Sequence, residues 1–243
     1  MLQSANPAMT IVIPARYNGP PHSANGGYAC GLLAGRANFS NEPFSAAAVT
    51  LLVPPPLETP LEFRAGAKRA SAWLGEELIA TVAPATGAIP VVATVPASIA
   101  RAASDRYPGR SAHPFPTCFV CGTHRPESDG LFLSPGPVPD DPERVACTWT
   151  PDSSVSNEEG HVRREVVWSV LDCPGGWTCD LGNAPMVLSR MTARISRLPL
   201  IGSTCVVVGR CERQQGRTAT NVTALYDEEG TLLASASAVW TRT

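Results

Sequence analysis

Lysine is nearly missing from this chain of 243 residues. Of its 19 basic residues only Lys68 is a lysine, and 21 acidic residues outnumber them, for a net charge of −2. No basic field points to nucleic acid, so no nucleic-acid partner is expected. Charged residues make up only 16%, but the apolar fraction of 44% suits a folded chain and excludes a disordered one. No segment approaches the roughly 20 apolar residues of a membrane helix, so no membrane partner is expected. The first residues lack a basic region followed by a long apolar run, so no secretory signal is expected either. There is no phosphate-cradling glycine loop and no recognisable Ser-His-Asp arrangement. Cysteine is the exception to this scarcity. The eight cysteines are scattered, several in apolar strand-like runs such as Thr204–Val208, and suggest free buried thiols in a reducing cytoplasm.

What the chain does contain is a diverged internal repeat. Val49–Phe63 (VTLLVPPPLETPLEF) aligns with Met191–Val206, placing Val49 on Met191 and, after one inserted residue, Pro56-Leu57 on Pro199-Leu200. Further on, Gly75-Glu76-Glu77-Leu78-Ile79-Ala80 resembles Asp227–Ala234. A spacing of about 140 residues means two copies of a domain-sized unit, since solenoid periods are only about 20–50 residues. The expected division is a unit over residues 1–95, a linker over 96–114 and a second unit over 115–243. The proline- and alanine-rich stretch Pro84–Pro116 reads as the connection between the units and is expected to be peripheral to the chemistry, with a short surface helix over Ala97–Tyr107.

Each unit reads as one helix followed by an antiparallel meander. In the first, Thr10–Tyr17 predicts a strand and Gly26–Ala37 a helix, with strands at Ala46–Val53, Leu61–Ala67, Ala70–Leu74 and Leu78–Ala83. Gly27, Gly31 and Gly35 lie at four-residue spacing along the helix. Interior glycines cost about 1 kcal/mol each relative to alanine, which suggests a backbone approach that side chains would block. In the second, Arg144–Trp149 predicts a strand and Arg164–Cys173 a helix stopped by Pro174-Gly175-Gly176. Strands then follow at Met186–Arg197, Cys205–Gln214, Ala219–Asp227 and Leu232–Thr241, with a hairpin turn at Asp227–Gly230. A sheet with helices on one face is the simplest packing, an α+β fold.

That order resembles the hotdog fold, a curved antiparallel sheet wrapped round a central helix. His22–Ala34 (HSANGGYACGLLA) resembles the His-Gly-Gly segment that opens this helix in acyl-CoA thioesterases of the phenylacetate-pathway type. Cys118-Phe119-Val120-Cys121-Gly122, followed by Asp129-Gly130-Leu131, resembles the opening of many hotdog domains. Val167–Asp172 resembles the acid-bearing helix. The resemblance covers more than half of the chain and implies two hotdog units in one polypeptide. Two departures stand out. Asn25 occupies the place of the family histidine, and Arg164-Glu165-Val166 replaces the glycine pair in the second unit. The position matching Asp172 in the first unit falls on Leu33 or Ala34, neither of which can handle a proton.

The resemblance therefore implies one composite site, with Asn25, Gly26 and Gly27 from one unit facing Asp172 from the other. Gly27, with Gly26, would bind a thioester oxygen at the positive end of a helix. Asn25 would position water or substrate, and Asp172 would act as general base or as nucleophile. Apolar neighbours and the negative helix end would both raise the Asp172 pKa. The bland alternatives are a turn into a tightly packed helix for Asn18–Gly27 and a loop-capping aspartate for Asp172. His22, Arg190 and Arg194 are further substrate-binding candidates, the arginines for coenzyme A phosphates; a solvated strand face is the alternative for the pair. Cys118-x2-Cys121, with His113 and His124 nearby, lacks a second pair, so no metal is expected and the cysteines read as packing. The expected activity is acyl-CoA thioester hydrolysis with no cofactor beyond the substrate's own coenzyme A. The alternatives are a non-catalytic acyl or hydrophobic-ligand binder and a hydratase, although the usual histidine–aspartate pair of hotdog hydratases is not seen. The expected partner is a small acyl-CoA thioester, and association into a homodimer of such chains stays open.

Overall fold

A computed structural model describes residues 9–37, 39 and 46–243. Five strands come from the first part of the chain: β1 (Met9–Ile11), β2 (Ala47–Leu51), β3 (Leu61–Ala65), β4 (Ala70–Leu74) and β5 (Glu77–Pro84). Six come from the second: β6 (Gly136–Val138), β7 (Asp141–Trp149), β8 (Met186–Ile195), β9 (Cys205–Gln215), β10 (Thr218–Asp227) and β11 (Leu232–Arg242). They form one 11-stranded sheet in the order β1-β3-β4-β5-β2-β8-β11-β10-β9-β7-β6. All pairings are antiparallel. The order is nearly a mirror of itself about the β2–β8 junction. Val49 sits opposite Met191 in that junction, so the two residues matched by the repeat face each other across it. Joining the two halves there removes a pair of exposed strand edges.

Helices α1 (Gly26–Ala37) and α3 (Arg164–Gly176) pack side by side against one face of this sheet, within the main hydrophobic core. They run in opposite directions: Gly27 meets Trp168, Ser169 and Asp172, while Gly31 meets Glu165 and Trp168. A Cβ at Gly27 would lie 2.5 Å from Asp172 Cβ and 2.6 Å from the Trp168 carbonyl oxygen, and one at Gly31 would lie 2.7 Å from Glu165 Cα. Gly35 has nothing within 4 Å of its would-be Cβ, so the small-residue stripe works at two of its three positions.

Three elements differ from the sequence reading. The strand expected over Thr10–Tyr17 ends at Ile11, and Ala15–Tyr17 turns into a short 3-10 helix. Pro174 does not stop α3, which runs through it to Gly176. Strand β10 bonds carbonyls of the turns around it: Thr223 Oγ1 donates to Leu171 O at 2.7 Å and Asn221 Nδ2 to Gly175 O at 2.8 Å. The glycines serve close contact with the sheet, since a Cβ at Gly175 would meet Asn221 Oδ1 at 2.6 Å. The linker is also less peripheral than expected. Its helix α2 (Ala97–Ser104) buries Ala100 and Ala103 on the opposite sheet face, among Val206, Val208 and Val222. Tyr107 is buried and donates its hydroxyl to Cys121 O at 2.8 Å.

Candidate active site

The site is built at the N-terminus of α1. Asn25 caps this helix: its Oδ1 accepts from Tyr28 N at 2.9 Å and its carbonyl from Ala29 N at 3.0 Å. That fixes the amide orientation and leaves Nδ2 free to point across to α3. There Asp172 Oδ2 accepts two hydrogen bonds, from Gly27 N at 2.8 Å and from Asn25 Nδ2 at 3.1 Å. Asp172 is only 2% exposed, and its Oδ1 has no protein partner. The glycine at position 27 makes this possible, because the amide can approach the carboxylate only where no side chain intervenes.

Burial raises the Asp172 pKa to about 7, against the pull of the Gly27 amide; charge on Cys118 raises it further and the Asn25 side chain lowers it. Helix α3 continues one turn beyond Asp172 to Gly176, so the carboxylate is not at the last turn as expected. The carboxylate faces the positive N-terminal end of α1 instead.

Asn25, Gly26 and Asp172 lie on the wall of a cavity of about 420 Å³. The rest of the wall is mainly apolar, with Leu51, Phe115, Trp177, Leu188 and Trp240 contributing. Gly26 N–H makes no hydrogen bond to the described residues, whereas the Gly27 amide is taken up by Asp172. The sequence-predicted residues therefore divide into two groups. Asn25, Gly26, Gly27 and Asp172 converge across the two units. His22 is exposed on the preceding turn, and Arg190 and Arg194 are exposed on β8, where they bond Thr50 Oγ1 and Gly87 O; none of these three lines the cavity.

Residues that the sequence reading left aside also meet here. Cys118, Cys121 and Cys173 bring their sulfurs within 4.8 Å of one another, buried and on the cavity wall. Cys118 and Cys173 are 3.7 Å apart at Sγ. Asn25 Nδ2 reaches their sulfurs at 3.9 and 3.7 Å, and Trp177 Nε1 donates to Cys121 Sγ at 3.5 Å. His113 and Phe115, from the stretch expected to be peripheral to the chemistry, are on the wall too, because the chain passes beside the cavity before Cys118. His113 Nδ1 accepts from Phe115 N at 3.0 Å, which leaves Nε2 to donate to Cys121 O at 3.0 Å. Burial lowers its pKa, consistent with that neutral tautomer. The adjacency of Cys173 to Asp172 was the available sequence signal for the thiol cluster; its contact with a pair 52 residues earlier needed the fold.

The matching corner of the other half is filled. Arg163 precedes α3 as Asn25 precedes α1, and counting from each helix start places Ala34 opposite Asp172. Around that corner Tyr17 and Tyr28 stack at 3.8 Å, and Arg163 Nη2 donates to Tyr17 OH at 2.8 Å. One composite carboxylate site is therefore present among the described residues.

The same architecture recurs in solved structures. The tesB protein of Mycobacterium avium subsp. paratuberculosis aligns over 97% of this chain and 93% of its own, with a TM-score of 0.62 at 12% identity. A proposed thioesterase of Novosphingobium aromaticivorans aligns over 100% and 97%, with a TM-score of 0.64 at 14% identity. A conserved protein of unknown function from Alicyclobacillus acidocaldarius, described as having a hot dog fold, aligns over 100% and 95%, with a TM-score of 0.57 at 11% identity. The fold is a double hotdog. At these identities the likeness establishes architecture, not chemistry. No family model matches the chain, and no curated protein matches it. No described helix is long and apolar enough to cross a membrane.

Proposed function

We propose that the double hotdog chain hydrolyses an acyl-CoA thioester in the cavity beside Asp172. The observation that carries this reading is the state of the carboxylate: one oxygen is fixed by two N–H donors from the other half, and the other is buried without a protein partner, on a residue that lines an apolar cavity. Such a group can accept a proton from water without first breaking a bond within the protein. A pKa near 7 also suits a general base at neutral pH.

In this mechanism the acyl chain lies along Leu51, Trp177, Leu188 and Trp240. Asp172 Oδ1 takes a proton from water as the water oxygen attacks the thioester carbon. The C–S bond then breaks, and the thiolate leaves and is protonated. Asn25 and the Gly27 amide act as positioning groups that hold Oδ2, so that Oδ1 keeps its aim. The donor for the developing oxyanion would be the N–H of Gly26, a cavity-lining residue whose amide makes no hydrogen bond to the described residues. This differs from the role expected for Gly27, whose amide already serves Asp172. Direct attack by Asp172 Oδ1 is the other route, and would form an anhydride that water then hydrolyses.

A second reading is favoured by one observation. The Gly27 N–H expected to hold a thioester oxygen is spent within the protein, which suits a cleft that retains acyl ligands without turning them over. Incubation with acyl-CoAs of graded chain length separates the two. The products are followed by chromatography, because the protein's own thiols would react with a thiol reagent. Saturable release of free coenzyme A supports hydrolysis. Saturable binding with intact thioester supports the carrier.

A further inference from the structure

We propose that Cys118, Cys121 and Cys173 form a binding site for one thiophilic divalent cation of the zinc class, with the fourth coordination position facing the cavity. This goes beyond thioester hydrolysis and stands whether or not the cleft is hydrolytic. The geometry points there first. A tetrahedral centre with metal–sulfur bonds of about 2.3 Å places its sulfurs about 3.8 Å apart. Cys118 and Cys173 are already 3.7 Å apart, and all three sulfurs fall within 4.8 Å. A disulfide would instead need the sulfurs to close to about 2.05 Å.

The local backbone supports the same use. Cys118 and Cys121 have the two-residue spacing common in thiolate sites. The turn between them is closed by Gly122 N donating to Cys118 O at 2.9 Å. A Cβ at Gly122 would meet that oxygen at 2.5 Å, so the turn is tight enough to hold both sulfurs on one side. The third ligand arrives from the rigid helix α3.

The surroundings form a donor shell for thiolate charge. Asn25 Nδ2 points at the Cys118 and Cys173 sulfurs, and Trp177 Nε1 at Cys121. N–H groups directed at ligand sulfurs stabilise the deprotonated form and orient it. Three buried thiols on a cavity wall gain little from packing that apolar residues would not also supply. Cation binding would release up to three thiol protons to solvent and form three sulfur–metal bonds. A water or ligand heteroatom in the cavity would complete the shell. Three protein ligands with one open position is the pattern of reactive metal centres.

Cobalt(II) tests this on the full-length protein, freshly reduced and stripped with a chelator. One equivalent should bind and give a sulfur-to-cobalt charge-transfer band of three-thiolate intensity with a tetrahedral visible spectrum, and Zn²⁺ should displace it. Cys118→Ser, Cys121→Ser and Cys173→Ser should each lose the three-thiolate signature. Cys211→Ser should retain it. Trp177→Phe should weaken zinc binding by roughly 10–100-fold, as for other outer-shell donors. Should the cysteine variants misfold, alkylation mapping of the wild type by mass spectrometry decides. Zn²⁺ should then protect Cys118, Cys121 and Cys173 and leave Cys179 and Cys211 reacting at unchanged rates. Absence of saturable cobalt uptake by reduced protein, or uptake that leaves these three cysteines unprotected, would overturn the proposal.

Discussion

Replacing glycine by alanine within α1 should stabilise the protein at one end of the helix and destabilise it at the other. At Gly35 the new methyl would meet nothing within 4 Å. Only the helix propensity gain remains there, about 0.5–1 kcal/mol. At Gly27 the same methyl would lie 2.5 Å from Asp172 Cβ, 2.6 Å from Trp168 O and 2.9 Å from Ser169 Cα. Two of these neighbours are helix backbone and cannot swing aside, so α1 and α3 must separate. Overpacking of this kind costs about 1–3 kcal/mol, which outweighs the propensity gain. Gly31→Ala should behave like Gly27→Ala, since Glu165 Cα lies 2.7 Å from its would-be Cβ. Urea unfolding followed by tryptophan fluorescence would compare the midpoints of the three variants with wild type. The predicted order is Gly35→Ala above wild type, with Gly27→Ala and Gly31→Ala both below it. If Gly27→Ala matched Gly35→Ala, the backbone-to-backbone contact between the helices would be refuted.

Three further outcomes follow from the same contacts. Thr223→Val should lower stability by about 1–3 kcal/mol in denaturant unfolding, because it leaves the buried Leu171 carbonyl without the Thr223 hydroxyl; an unchanged midpoint would show that this bond between β10 and α3 adds nothing to stability. Asp172→Asn should stabilise the metal-free protein more at pH 8 than at pH 4: the wild-type group has a folded pKa of about 7 against an unfolded value of 3.8, so folding loses stability as pH rises between these values. Roughly three pH units correspond to about 4 kcal/mol of variant-minus-wild-type difference, measured by urea unfolding with a chelator present, and a pH-independent difference would contradict the burial of this carboxylate. Asn25→Ala should cost about 1 kcal/mol through the lost helix cap and also lower turnover by at least about tenfold through the lost donor to Asp172; normal turnover in this variant would show that Asp172 is held adequately by Gly27 alone.

Much of the architecture was legible because it rests on local signals. The strands of the C-terminal meander end within a residue or two of their predicted bounds, since alternation and the Asp227–Gly230 turn define them. The diverged repeat showed two like units, but that its matched residues Val49 and Met191 pair at the junction is seen only in the structure. The convergence of Asn25, Gly27 and Asp172 followed from the resemblance. What was not legible depends on partners distant in sequence. Pro174 reads as a helix stop, yet α3 runs through it to Gly176, where the helix end packs on β10 through Thr223 and Asn221. The side of the sheet covered by α2, and the entry of His113 into the cavity wall, depend on how the linker crosses the edge. The Cys118–Cys173 contact spans 55 residues, and no spacing rule reaches that far. The direct bond between Gly27 and Asp172 reflects how closely two helices approach, which glycine spacing suggests without fixing which groups would touch.

The most direct test of the central claim is acyl-CoA hydrolysis by wild type and Asp172→Asn, with free coenzyme A quantified by chromatography. The substitution keeps the size of the side chain and the acceptor for Gly27 N–H and Asn25, but it removes the base. Wild type should show saturable release, and the variant a turnover lower by roughly 10²–10⁴-fold with KM little changed. A variant that hydrolyses the thioester at the wild-type rate would contradict the assignment of the reaction to this carboxylate.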